Sequence, residues 1–274
     1  MTSDKQGHTY AVANRKGGVG KTTTAIALAH GLARKLEPIG GRVLIIDFDP
    51  QGNVVTSLHI QPQANSLSDF LLGQCGFKEC VISADRVEQG LPRPNLFVIP
   101  ANDSLAQAKS ELMIKAVVGG RKATRLEDTL QEKLGFTRQV FDYIVVDCPP
   151  TLDAFSDAVY QFADEVIVPV KTDFLGEVGA AHHTDNILEA QAYGINIKIA
   201  CILPTFYDPR LTISRVVLDN LRRHYGKAKV AMPIPRSTIF EQAPAVNGQT
   251  IFEYRPNSAP AQAYQDLVDR IYRA

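Results

Sequence analysis

Eight consecutive residues constrain this chain more than any other part of it: Lys16-Gly17-Gly18-Val19-Gly20-Lys21-Thr22-Thr23, set between the apolar run Tyr10-Ala11-Val12-Ala13 and a stretch of helical periodicity. The glycines permit backbone turns closed to other residues, so successive N–H groups can converge on an anion. The N-terminus of the helix that follows adds partial positive charge. A strand that runs into such a loop and leaves it as a helix is a device for holding nucleotide phosphates. Lys21 is then placed to pair with the β- and γ-phosphates, and Thr22 to offer a hydroxyl to Mg²⁺. The general pattern G-x-x-x-x-G-K-[ST] nevertheless fails at its first position, where Arg15 stands, and a second lysine, Lys16, heads the loop.

The departure resembles the deviant Walker A motif K-G-G-x-G-K-[ST] of the ParA/MinD superfamily of dimeric ATPases. In that family the leading lysine, here Lys16, reaches across a dimer interface to phosphates held by the partner. The resemblance therefore implies a homodimer enclosing two ATP molecules. It also assigns the phosphate contacts to Lys16, Gly17, Gly18, Val19, Gly20, Lys21, Thr22 and Thr23.

Short apolar runs alternate with helical patterns along the chain: Tyr10–Asn14 and then a helix over Thr22–Lys35, followed by runs at Val43–Asp47, Leu96–Ile99, Tyr143–Asp147, Glu165–Val170 and Lys198–Ile202. This is the rhythm of an α/β fold, a mostly parallel central sheet flanked by helices, here a P-loop NTPase fold. Runs such as Val43-Leu44-Ile45-Ile46 are apolar throughout, which suits strands covered on both faces. The functional site belongs at their carboxyl ends. Gln61–Pro94 reads as loops and short helices. At 274 residues and 45% hydrophobic, the chain can bury one sizeable core, and one domain over 1–274 is expected. No run approaches the ~20 apolar residues of a membrane helix. The four cysteines form no C-x-x-C pair, so reduced thiols and a cytoplasmic location are expected.

Two acidic positions follow strands. Asp47-Phe48-Asp49-Pro50-Gln51-Gly52-Asn53 resembles the family's switch I sequence, and Asp147-Cys148-Pro149-Pro150 its Walker B and switch II segment. The resemblance places Asp49 beside the attacking water and Asp147 on Mg²⁺ through water, with Thr22 and Asp49 as further metal-side groups. Catalysis would come from Lys16, Lys21 and Asp49 through positioning and charge neutralisation. Val170-Lys171-Thr172-Asp173 is a near miss to the guanine motif [NT]-K-x-D, lacking its first residue. The family's base contacts correspond instead to Leu203-Pro204-Thr205 and Ile234-Pro235-Arg236, so adenine is favoured, with Pro204, Pro235 and Arg236 as its contacts.

Leu203–Asp208, Ile234–Arg236, Glu241-Gln242-Ala243-Pro244 and Tyr254-Arg255-Pro256 extend the resemblance to the small, Soj-like ParA partition proteins over nearly the whole chain. The first strand starts about ten residues in, which leaves no room for an N-terminal helix-turn-helix domain. The family implies an ATP-driven dimer that binds double-stranded DNA without sequence preference, on the nucleoid, until a ParB-like partner stimulates slow hydrolysis. Formal net charge is zero, so DNA binding would need a local patch. The candidates are Arg210, Arg215, Arg222, Arg223, Lys227 and Lys229, with Arg236 nearby. Where many relatives carry arginine shortly after I-P-R, this chain has Thr238 and Ile239. Three other readings stay open: a ParA-like ATPase positioning a protein cargo, a MinD-like membrane-associated ATPase, and a nucleotide-dependent scaffold that binds ATP and dimerises but barely hydrolyses it, against which the presence of Asp49 counts. Against the second, the terminal stripe Ala263, Tyr264, Leu267, Val268 and Ile271 carries flanking charges of both signs, Asp266, Asp269, Arg270 and Arg273, and reads as a helix packed on the domain.

Overall fold

The computed structural model describes residues 6–61, 63–85, 91–118, 125–150 and 155–272. Among them the strands are β1 (His8–Val12), β2 (Val43–Asp47), β3 (Ile82–Ser83), β4 (Leu96–Ile99), β5 (Tyr143–Asp147), β6 (Glu165–Lys171) and β7 (Lys198–Thr205). They form one sheet in the order β3-β4-β2-β5-β1-β6-β7, parallel except for β3, which lies antiparallel to β4 at the edge. The α/β expectation holds. The helices are α1 (Lys21–Leu36), α2 (Asn53–Leu58), α3 (Leu67–Leu72), α4 (Phe77–Cys80), α5 (Ser104–Val118), α6 (Thr129–Leu134), α7 (Phe155–Phe162), α8 (Phe174–Ala192), α9 (Thr212–Tyr225), α10 (Ile239–Ala245), α11 (Ile251–Tyr254) and α12 (Ala259–Tyr272).

Period-two alternation sorts the strand side chains onto two faces. Val43 and Ile45 of β2 join Val145, Ile167 and the α1 and α12 side chains in one buried cluster. Leu44 and Ile46 join Ile144, Val146, Val168 and residues of α5, α7 and α8 in the other. Every β2 residue is buried, and each full-sized aliphatic side chain so placed contributes about 1.5–3 kcal/mol of transfer free energy. The terminal apolar stripe behaves as read: Tyr264, Leu267, Val268 and Ile271 of α12 are buried, with the Tyr264 hydroxyl 3.0 Å from Thr24 Oγ1 on α1. No helix among the described residues is long and apolar enough to cross a membrane.

Several boundaries differ from the sequence reading, three of them by more than one residue. The first strand runs His8–Val12 rather than Tyr10–Asn14; beyond it Ala13 N still bonds Ile167 O at 3.1 Å, and the Asn14 side chain bonds Pro169 O of β6 at 2.7 Å. The last parallel strand continues through Pro204 to Thr205, which an edge strand tolerates because its outer side needs no ladder donor. Gln61–Pro94 supplies α3 and α4 but also β3, two residues long, whose strand character depends on pairing with Val98 and Phe97.

The register matters most at the carboxyl edge. Asp147 is level with Val12 on one side and with Asp47 on the other. The loop after β1, the segment after β2 and the end of β5 therefore emerge side by side.

Candidate functional site

The phosphate loop is anchored at its entrance by Asn14, 2% exposed, whose Oδ1 accepts the Lys16 N–H at 3.0 Å. Gly18 and Gly20 adopt φ of 68° and 88°, the left-handed region that a side chain disfavours. Gly20 caps α1 without a side chain, and the first turn of α1 carries no acidic residue. Its leading N–H groups are therefore directed into the loop with no internal acceptor from a cap, the arrangement suited to an anion. At the back, Val19 is buried, and its carbonyl accepts the Thr205 hydroxyl at 2.9 Å, fastening the loop to the end of β7.

The two lysines of the loop face opposite ways. Lys21 is 8% exposed and donates to Lys16 O at 3.1 Å, closing the loop on itself. Burial pulls its ammonium below the ordinary lysine range, while Asp147 and Asp49 push in the opposite direction. Lys16 turns to the rim, where its Nζ meets Asp173 Oδ1 at 3.0 Å. Asp173 caps α8 by accepting the Gly176 N–H at 2.7 Å, and its other oxygen lies 3.1 Å from Lys171 Nζ. Burial raises the Asp173 pKa, but the hydrogen bonds from Lys16, Lys171 and Gly176 outweigh it and hold the carboxyl below the usual range.

Three aspartates meet at the carboxyl edge. Asp47, wholly buried, accepts the Asp49 N–H at 3.1 Å and the Val54 N–H at 3.0 Å. Burial pushes it up to about 7 despite those two bonds. Asp49 is half-buried beyond it and accepts the Gln51 N–H at 3.1 Å. Asp147 is 0% exposed, and neither carboxylate oxygen has a hydrogen-bond partner of ordinary geometry. Burial and the neighbouring Asp47 raise it well above the usual range, with the Thr22 hydroxyl and Lys21 lowering it only in part. A buried carboxylate with two open oxygens, beside a threonine hydroxyl and a second carboxylate, is a donor set for a hard, oxygen-seeking cation such as Mg²⁺.

The segments expected to hold the base are zipped together: Ile234 N donates to Pro204 O at 2.8 Å, Tyr207 N to Ile234 O at 3.0 Å and Arg236 N to Tyr207 O at 2.9 Å. A small hollow beside the loop is lined by Gly20, Thr23, Thr205, Phe206, Ile234, Phe240 and Tyr264. The neighbours of Pro204 and Pro235 line it, whereas Pro204, Pro235 and the exposed Arg236 do not. Sequence reading missed Phe206, a non-glycine residue at φ 54° whose ring centroid lies 5.6 Å from Lys171 Nζ.

The candidate basic residues lie on and after α9, whose inner face is Ser214, Val217, Leu218 and Leu221. Arg215 and Arg223 are exposed there and Arg222 is half-buried. Lys227 is exposed just beyond the helix, as is Lys229, whose Nζ bonds Ile199 O at 2.6 Å. Arg210 is held by Asp208 through bonds of 2.9 and 2.7 Å, which neutralises part of its charge.

A glycine-rich loop that opens an uncapped helix, with a lysine at each end and aspartates on two neighbouring strands, defines a P-loop nucleoside triphosphatase of the two-lysine kind. The sequence model of the family described as "AAA domain" matches residues 7–201. The sporulation initiation inhibitor protein Soj of Bacillus subtilis is 31% identical over 97% of this chain and 98% of its own. The chromosome partitioning protein ParA of Caulobacter vibrioides is 33% identical over 95% of this chain and 92% of its own. A solved structure described as cobyrinic acid a,c-diamide synthase from Mycobacterium smegmatis, with bound ADP and magnesium, is 31% identical and superposes with a TM-score of 0.75 over 97% of this chain and 94% of that one. This chain belongs to the ParA/Soj family within the ParA/MinD superfamily, and it is an ATPase.

Proposed function

We propose that residues 1–274 work as one ParA-type partition ATPase unit, cytoplasmic, which closes on ATP into a homodimer that rides on DNA. The observation that carries the reading is the division of labour between the loop lysines: Lys21 is buried and turned into the cradle, while Lys16 stands at the rim in a part-exposed ion pair. A lysine so placed can leave its partner for phosphates presented by a second copy of the chain, which a buried one cannot.

The loop N–H groups from Gly17 to Thr23, with Lys21, hold the phosphates in this reading. Thr22, Asp49 and, through water, Asp147 hold Mg²⁺, which neutralises developing phosphate charge. The open oxygens of Asp147 support that assignment. Asp49, which accepts the Gln51 N–H, orients the attacking water in this reading. The base lies against the β7 end and residues 234–236. A ParB-like partner accelerates hydrolysis and releases the dimer from DNA. Exposed Arg215, Arg223, Lys227 and Arg236, together with Arg210, Arg222 and Lys229, supply the DNA patch, doubled by the two-fold of the dimer.

The test is binding to non-specific duplex DNA with no nucleotide, ADP, ATP or a non-hydrolysable analogue, at two salt concentrations. The reading expects binding with ATP or the analogue alone, weakened at least about tenfold between about 50 and 200 mM salt. Nucleotide binding without DNA binding in any state would overturn the DNA-riding cycle and leave a protein cargo or a lipid surface as the object of the switch.

A further inference from the structure

A buried lysine needs surroundings that offset the loss of water around its charge. Lys109, in the middle of α5, is 6% exposed. Its Nζ lies 4.4 Å from the centroid of the Phe48 ring and 5.9 Å from that of Phe155. The two rings are themselves 6.1 Å apart, and each is 1% exposed. A desolvated ammonium against aromatic faces is held more strongly than one at the surface.

The positions of the two rings give this cluster its meaning. Phe48 stands between Asp47 and Asp49, and alternation sends its ring toward the α5 face of the sheet while the flanking carboxylates turn the other way. Its backbone N–H also bonds Asp147 O at 2.9 Å. Phe155 is the first residue of α7, the helix reached after Asp147. One cation thus touches a ring that stands between Asp47 and Asp49 and a ring at the start of α7, the helix that follows the Asp147 strand, on the α5 face of the sheet.

We propose that Lys109 is a positioning residue for ATP hydrolysis. By gripping Phe48 and Phe155 together, it fixes the direction of Asp49 relative to Asp147. The proposal rests on the ATPase reading of this site. Misplacing a water-orienting carboxylate by a fraction of an ångström costs turnover while leaving the phosphate cradle, built on another loop, intact.

The experiment compares the wild type with Lys109→Met, which keeps the length and apolar bulk without the charge, and Lys109→Arg, which keeps a cation. Each is assayed for kcat and KM of ATP hydrolysis, binding of a fluorescent ATP analogue and thermal midpoint. Lys109→Met is expected to lower kcat about tenfold with analogue affinity and KM within about twofold, and Lys109→Arg to recover most of the loss. Phe155→Leu should reproduce the same split, which keeps the test open if Lys109→Met does not fold. Unchanged kcat in Lys109→Met, or a loss of turnover that only tracks lost binding and stability and that Arg does not rescue, would overturn the proposal. A wild type that binds ATP without hydrolysing it would overturn the reading beneath it instead.

Discussion

Lys16 and Lys21 share one loop and meet opposite surroundings, and the difference comes from a residue far along the chain. Asp173 holds Lys16 in cis from a position 157 residues away. In the proposed homodimer, competition between Asp173 and a partner's phosphates would set how readily the two chains close. Asp173→Asn keeps an oxygen able to cap α8 at Gly176 but removes the charge that retains Lys16. A part-exposed ion pair of this kind contributes ~0.5–1 kcal/mol. Closing the dimer breaks two such pairs, so the apparent dimer dissociation constant at saturating ATP should fall about five- to thirtyfold in sedimentation velocity. An unchanged or weakened dimer would show that Lys16 leaves Asp173 without cost or that Asp173 itself serves the interface. The loop was legible in the sequence because its residues are consecutive and their conformational demands local. Asp173 was visible only as the end of a near miss to a base-binding motif, since nothing within Val170–Asp173 reveals that the carboxylate caps a helix and receives a lysine from another loop. Lys109 was illegible for the same reason: its meaning depends on two rings brought to it by β2 and α7.

At the scale of elements, the strands that read clearly are those with continuous apolar runs, such as β2 and β5, whose burial on both faces needs no knowledge of neighbours. β3 and the extension of β7 did not read, because two residues paired at an edge carry no periodicity. The same stretch, Gln61–Pro94, conceals Arg93, which looks like a loop arginine between prolines yet is 0% exposed. It bonds Glu253 of α11 through Nε and Nη2 at 3.0 Å each, Leu58 O at the end of α2 at 3.3 Å, and Gly248 O at 2.6 Å. Burial raises the Glu253 pKa, but Arg93 and His30 more than reverse this, holding the carboxyl below its usual range. One guanidinium so ties the helix after Asp49 to the carboxyl-terminal elements over α1. Arg93→Met leaves a carboxylate and two carbonyls without their donor, and should cost about 3–5 kcal/mol in urea unfolding. Arg93→Met combined with Glu253→Gln should recover part of that, since the unpaired charge is then gone. A loss below about 1 kcal/mol in the single variant would mean that water takes the guanidinium's place.

The whole molecule should record its buried titratable groups in the pH dependence of stability, and two of them oppose each other. His30 of α1 is 4% exposed, with Nδ1 2.8 Å from Thr250 Oγ1. Burial lowers its pKa to about 4, against the attraction of Glu253 and with the help of Arg93 and Arg34. Between the ordinary value of 6.5 and about 4, the unfolded chain takes up a proton that the folded chain refuses. Its contribution is therefore intact above pH 6.5 and is lost as the pH falls through that window. Asp47, pushed up to about 7 from 3.8, binds its proton more tightly when folded, so it favours the native state at low pH and that support is lost as the pH rises toward 7. The nucleotide-free wild type consequently understates both effects. His30→Gln removes one of them while retaining a group able to bond Thr250. The difference in unfolding free energy, wild type minus variant, measured in denaturant without nucleotide or Mg²⁺, should fall by about 1.6 kcal/mol from pH 6.5 to pH 5, the slope rising toward ~1.4 kcal/mol per unit as the unfolded histidine becomes fully protonated. A difference that does not change with pH would show that the His30 ring takes up its proton as readily in the fold as in the unfolded chain, the Glu253 carboxylate beside it, 3.9 Å from Nε2, balancing the burial that lowers it.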